Sequence, residues 1–357
     1  PRIASLKLMD AMIPWFVLAP FFGTSSVAAD SSGWNELAAS GEVLDARFGH
    51  AMTTLDDGTV LLFGGAFISD VGEQILDDLW QLSVAAGSVH WTKISASGST
   101  PSDRRNHRMA VVNGTVMMFG GYGSGVGCLS DLWRVTVNGS SAEWTELTSG
   151  PGCSFDFGMA SVSDGTALVF GGRDEDWQLR QDLWQLSMSG TAQWTVITSS
   201  EGPSARRGCG MVSAADGTAL VFGGGGAGGV TNDLWRVSLN GSSAEWTEVQ
   251  ASGQLPAARM LHGVTTMMND AMLIFGGSPN IMVGRSPWLD DQWQVVVDGN
   301  NASWIELFPC TGLNVSGRIE IAMVTVEGTA VLVGGLSADG AHNDTWQWSE
   351  DACRAPT

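Results

Sequence analysis

Residues 218–249 read TALVFGGGGAGGVTNDLWRVSLNGSSAEWTEV, and this stretch decides the fold. An apolar run ends in Phe222-Gly223-Gly224, a glycine-rich loop follows, and Asp233-Leu234-Trp235 opens a short alternating strand. An Asn240-Gly241 turn then leads to a second strand that carries Trp246. The same order recurs with Phe-Gly-Gly at Phe63, Phe119, Phe170 and Phe275, and as Val-Gly-Gly at Val333. The Asp-x-Trp step recurs with Trp80, Trp133, Trp184, Trp293 and Trp346, and the later tryptophan with Trp91, Trp144, Trp194 and Trp304. Six copies about 50 residues apart are the mark of a radial repeat, in which no single copy buries its own apolar face.

Each copy reads as a four-stranded antiparallel meander, strands a to d. Runs such as Thr-Val-Leu-Leu-Phe at 59–63 are nearly continuous in apolar residues, which suits a strand b covered on both faces by stacked sheets. Most copies place a hairpin dipeptide just before that run, as at Asp57-Gly58, Asn113-Gly114 and Asp216-Gly217. The Asp-x-Trp step begins strand c and the later tryptophan marks strand d. The paired glycines at the end of b allow a sharp turn where no Cβ would fit.

With these motifs in hand, the chain resembles the kelch-repeat family over residues 34–350. The resemblance implies an all-β fold, a six-bladed β-propeller of four-stranded antiparallel blades over residues 30–357. It implies a structural role for the glycine pairs and the aromatics, and says little about activity, because one fold hosts many functions. Trp34-Asn35-Glu36-Leu37 matches Trp144-Thr145-Glu146-Leu147, so it reads as a strand d with no a, b or c before it. The sixth copy has a, b and c but no matching tryptophan segment after them. The N-terminal strand is therefore expected to complete the last blade, which leaves no open sheet edge at the seam.

Residues 1–29 stand outside the repeat. Arg2 and Lys7 precede an apolar run, Met12–Phe22, and small residues follow to Ala29. That is the layout of a secretory signal peptide, too short to span a bilayer. The expected location is extracellular, with no membrane insertion after cleavage. The net charge of −20, with Lys7 and Lys93 the only lysines, disfavours nucleic acid and anionic membrane partners.

In the meander, the b–c and d–a loops share one face. The b–c loops vary: Ala66–Leu76 is long, Arg173–Gln181 is charged, Ser278–Leu289 carries Trp288, and Gly225–Thr231 is nearly all glycine. Variable loops on a rigid scaffold are where binding residues usually sit. Cys128 and Cys153 fall in neighbouring loops of this face and are expected to form a disulfide, while Cys209 lies in a strand a as a free thiol. Pairing of Cys310 with Cys353 would need the tail to fold back. Asn113, Asn138, Asn240, Asn301, Asn314 and Asn343 head Asn-x-Ser/Thr sequons and are candidate glycosylation sites, although Asn-Gly is also hairpin chemistry.

Arg47, Arg104, Arg206, Arg259 and Arg318 occupy one repeat position at the start of strand a, and Ser154 replaces them in the third copy. One reading makes them part of the repeat's own hydrogen bonding. The other makes them, with Trp288, a positive ring at the channel mouth that binds carboxylates or sulfates.

No catalytic constellation, cofactor or metal site is read from the sequence. Tyr122 is the only tyrosine, so the two-tyrosine copper site of galactose oxidase, a related propeller enzyme, cannot be built. The iron motif of plant specifier proteins is absent, and the glycines at 223–229 lack the Lys-Ser/Thr of a phosphate loop. The expected function is a secreted, monomeric binding module for a protein or acidic glycan, acting through the b–c and d–a loops. A sugar mutarotase-like enzyme at the channel mouth and a structural matrix component are the alternatives.

Overall fold

The computed structural model describes residues 33–349 except 86, 163–164, 200, 269, 283–286 and 309–314. The expected signal peptide, Cys310, Cys353 and Asn314 lie outside the described residues. The described chain folds into six meanders. Blade 2 is representative: Arg108–Val112, Thr115–Phe119, Leu132–Asn138 and Ser141–Glu146 pair in antiparallel sequence from a to d.

Blade 6 takes Ala322–Val326, Thr329–Val333 and Thr345–Ser349 from the end of the chain and Gly33–Glu36 from its start. Trp34 lies opposite Trp348, and Glu36 opposite Trp346. The orphan strand d thus closes the ring.

The core is distributed rather than central. Six apolar clusters fill the six gaps between adjacent blades, each built from strands of two neighbours. The repeat aromatics join blades: the last residue of strand b packs against the strand d tryptophan of the next blade. Phe63 meets Trp144 at 5.1 Å, Phe119 meets Trp194 at 4.8 Å, Phe170 meets Trp246 at 5.0 Å, Phe222 meets Trp304 at 5.0 Å, and Phe275 meets Trp34 at 5.8 Å. Tilted and edge-on pairs at these separations add to the area they bury.

The glycine pairs also act across the gaps. The N–H of Gly65 donates to the Arg104 carbonyl of the next blade at 2.9 Å, and the other five second glycines make the same bond. A Cβ on Gly64 would sit 2.6 Å from that same carbonyl, and φ there is +63°. Only glycine accepts both conditions.

One loop reading is corrected. Gly225–Thr231 is no glycine loop: strand b of blade 4 runs through Ala219–Gly226 and strand c through Gly229–Asn240, with a register shift between Phe222 and Gly224. Backbone pairing needs no side chains, so the glycines extend the hairpin. The long Ala66–Leu76 segment likewise forms a small hairpin, Ala66–Ser69 with Gly72–Ile75.

Candidate functional site at the channel mouth

The five repeat arginines are not a ligand-facing ring. Arg47, Arg104, Arg206, Arg259 and Arg318 are 0–2% exposed. Each guanidinium grips the aspartate of its own blade's Asp-x-Trp step, at 2.7 Å for Arg47–Asp78 and 2.6 Å for Arg259–Asp291. Arg47 also donates to the carbonyls of Gly64 and Asp45, and the aspartate accepts from Trp80 Nε1 at 2.6 Å. The sequence reading of these five as ligand-binding fails because their donors are engaged within the blade. Burial raises the carboxyl pKa values of Asp78, Asp131, Asp233 and Asp291, but the arginine bonds and charges outweigh it and hold them below the ordinary range.

Blade 3 lacks this unit. Ser154 stands in the arginine's place, Asp182 is reached instead by Arg180 at 3.2 Å with its side chain 48% exposed, and Trp184 Nε1 is buried with no hydrogen-bond partner among the described residues.

The two positions that follow the repeat arginines meet at the axis, and where they carry Arg105, Arg207 and Glu320 the side chains are partly exposed. At the second position stand Gly49, Asn106, Asp156, Gly208, Leu261 and Glu320, all with φ between +52° and +66°. Each N–H donates to the carbonyl of its counterpart in the preceding blade: Asn106 to Gly49, Asp156 to Asn106, Gly208 to Asp156, Leu261 to Gly208, Glu320 to Leu261, and Gly49 to Glu320. Six bonds of 2.7–3.2 Å form a closed belt around the axis. Four non-glycine residues hold a left-handed backbone to complete it, a strain tolerated only where the surroundings over-determine it.

Above and within this belt sits a dense charge cluster. Asp156, 2% exposed, accepts from Asn106 Nδ2 at 2.6 Å, Arg173 Nη2 at 2.8 Å and Arg207 Nη1 at 3.1 Å. Burial alone would raise its pKa; Arg173, Arg207 and Arg105 pull it below the ordinary value. Glu320 is pushed up to about 7 by burial, with Arg105 opposing and Asp156 adding to the rise. Its Oε2 is buried with no hydrogen-bond partner among the described residues. Arg105 reaches Glu73 at 3.1 Å. Deeper in, Arg108 occupies a strand a position filled elsewhere by Ala51, Gly158, Gly210, Gly263 and Ala322. Burial lowers its pKa, and the charges of Asp156 and Glu320 act against that fall.

An aromatic shelf flanks the arginines. Arg173 stacks over Phe155 at 4.7 Å and over Trp177 at 4.5 Å, and Tyr122 lies 5.3 Å from Phe155. Trp177 is 43% exposed at φ +64°, an outlier for so bulky a residue. Exposed Ile68, Val71, Val126, Ile281 and Met282 project from b–c loops of the same face. Trp288 is half-buried against the apolar cluster of Met260, Leu261 and Ile319.

A family model described as the KLHDC2/KLHL20/DRC7 Kelch-repeats domain matches residues 25–154 and 155–335. This chain belongs to the kelch-repeat family. Adagio-like protein 3 of Oryza sativa subsp. japonica is 26% identical over 284 residues, covering 76% of this chain and 44% of that protein. An F-box/kelch-repeat protein of Arabidopsis thaliana is 25% identical over 293 residues, 76% of this chain and 57% of its own length. The kelch chain thus spans about half the length of the curated relatives it matches. The solved structure entitled "Structure of YjhT" superposes with a TM-score of 0.65 at 17% identity, covering 85% of this chain and 95% of that one. That likeness shows the propeller fold. Kelch propellers act in general as protein-interaction modules.

On the loop face Cys128 and Cys153 are disulfide-bonded, with Cα atoms 5.5 Å apart. The Glu175 carboxylate lies beside both sulfurs, which offer no thiolate to a metal while bonded to each other. Cys209 is buried and free, and burial raises its pKa. Asn138, Asn240 and Asn301 are exposed at c–d turns on the opposite face. The side-chain amides of Asn113 and Asn343 donate to the carbonyls of Met188 and Leu44. Sequence reasoning missed Arg105, Arg207 and Glu320. The available signal was charge at positions that the other copies fill with Phe48, Met260 or Gly49.

Proposed function

We propose that this kelch propeller is a secreted binding module that takes up a protein partner through the b–c and d–a loop face, seating a carboxylate of that partner among Arg105, Arg173 and Arg207. The observation that carries the reading is the partly exposed arginine cluster at the axis, ringed by Trp177 and exposed apolar loop residues in a chain of net charge −20. Interfaces draw their energy from aromatic and arginine anchors surrounded by a rim that excludes water. The disulfide and the layout of residues 1–29 support an oxidising, extracellular setting.

The test is direct titration of the purified chain with acidic peptides and, in parallel, uronate- and sialate-bearing oligosaccharides, in the parent, Arg105→Ala and Trp177→Ala proteins. Both substitutions leave the three hydrogen-bond donors of Asp156, from Asn106, Arg173 and Arg207, in place. The expected result is peptide binding that weakens with salt and falls ~30-fold in either variant, the size of a hot-spot loss. Binding to no acidic probe, or variants that bind like the parent, would refute it. A second reading, a carbohydrate-active site, is favoured by the buried Glu320 with its raised pKa beside Arg105. Turnover of an acidic sugar that is lost in Glu320→Gln would select it.

A further inference from the structure

Strand d is the outer edge of each blade, and the chain treats these edges unequally. After strand d of one blade, the chain crosses over and runs parallel to strand d of the next. Ala38–Gly41 covers the start of Ser88–Ser97, residues 95–97 cover the start of Ser141–Glu146, and Gln250–Ser252 covers the start of Asn301–Leu307. Thr198 does the same for blade 4 with one bridge to Ser243. Among the described residues, such cover is also not seen on strand d of blade 6, Gly33–Glu36, which carries Glu36, and is not seen on strand d of blade 3, Thr191–Ile197. Among the described residues the only strand partner of Thr191–Ile197 is the inner neighbour Leu183–Ser189.

The cause is legible in the connection before it. Ten residues take the chain from Trp144 to Ser154, whereas thirteen run from Trp91 to Arg104 and from Trp246 to Arg259. The shortened crossing never reaches the neighbouring edge; its Gly150 N–H bonds back to the Ser130 carbonyl at 2.7 Å.

The same strand has also lost its charges. Two residues after the strand d tryptophan stand Glu36, Lys93, Glu146, Glu248 and Glu306, and in blade 3 Val196, which is 49% exposed. One residue before it, Gln193 replaces the glutamate found at Glu143 and Glu245. Cover and charge are two of the means by which natural edge strands are kept from pairing, and this one has neither among the described residues.

We propose that the edge Thr191–Ile197 is a self-association surface, on which a second copy of this chain adds its own Thr191–Ile197 strand antiparallel across a two-fold axis. Such a contact is isologous, so the edge must be complementary to itself. Two molecules of charge −20 repel over most surfaces. Pairing through the acidic strand d of blade 2 or 4 would crowd glutamates from both copies, while the Gln193-Trp194-Thr195-Val196 run meets itself without charge. This contact lies on the outer wall and is independent of ligand binding at the mouth.

Sedimentation equilibrium of the intact chain from low micromolar to sub-millimolar concentration tests it. A dimer is expected that strengthens as salt rises, because screening relieves the net repulsion. Amide exchange is expected to slow at residues 191–197 as the dimer fills. Val196→Lys should weaken association at least tenfold at an unchanged melting temperature, and Val196→Thr should preserve it. A parent that stays monomeric, a Val196→Lys protein that dimerises like the parent, or protection that appears elsewhere would overturn the proposal. Protection of the edge only on adding a foreign extended peptide would assign it to another occupant and overturn it equally.

Discussion

The backbone N–H of Gly49 donates to the carbonyl of Glu320 at 2.8 Å, and this bond joins the first blade to the last at the axis. It completes a belt in which the six residues at one repeat position hold hands around the channel while strand d of blade 6 closes the wall outside. Closure is therefore made twice, once by Trp34 opposite Trp348 and once by Gly49 against Glu320.

Gly49→Ala tests the inner closure. The added Cβ would lie 2.4 Å from Asn106 Oδ1 and 3.0 Å from Glu320 Oε2, at a φ of +66°. A loss of roughly 1–3 kcal/mol in denaturant unfolding is expected from the strained backbone and the crowded neighbours. An unchanged midpoint would show that the belt relaxes without cost.

Trp34→Ala tests the outer closure. Trp34 is 3% exposed and packs edge-on against Phe275 and Trp348. Truncating so buried a ring costs about 3–5 kcal/mol. Removal of residues 33–36 is expected to expose the edge of Thr345–Ser349 and to lower solubility as well.

Arg104→Ala and Arg105→Ala, adjacent in sequence, should separate structure from binding. The first leaves Asp131 and the Gly120 carbonyl without their guanidinium. It is expected to cost roughly 2–3 kcal/mol, near the lower limit for breaking a buried pair because Asp131 stays 20% exposed. The second removes a partly exposed side chain paired with partly exposed Glu73, so stability should change little while acidic ligands are lost. Thermal melts and titrations on both variants check the contrast.

The pH dependence of stability should have two opposed limbs. The aspartates of the arginine units titrate below their ordinary values, so their contribution is present at neutral pH and is lost as pH falls through the acid range. Burial lowers the pKa values of His50 and His262 to about 3; the unfolded chain binds those protons first, so stability also falls below pH 6.5. Glu320 acts in the other direction. Its pKa of about 7 exceeds the unfolded 4.5, so the folded state holds the proton longer and stability declines as pH rises between those values. Glu320→Gln is therefore expected to gain stability at pH 8 relative to the parent, with a smaller difference at pH 5, and urea midpoints at both pH values measure it.

The sequence by itself determined the repeat, the six blades and the seam at Trp34, because hairpin dipeptides, two-faced apolar runs and spaced tryptophans are local signals repeated six times. The glycine pairs were equally legible, though their cross-blade bond to the Arg104 carbonyl and its equivalents appears only when two blades are stacked. Tertiary structure alone decided what the arginines do. Arg104 and Arg105 are identical in chemistry and adjacent in the chain; the first turns into its blade against Asp131 and the second lies at the mouth beside Glu73. The same holds for the glycine-rich run 225–231, which reads as loop and folds as paired strand, since glycine sets no preference and the partner strand does. The mouth cluster joins Glu73, Arg105, Arg207 and Glu320 from four different blades to Asp156 and Arg173 of blade 3. No spacing in the chain encodes that meeting, which arises from the radial packing that brings all six inner strands to one axis.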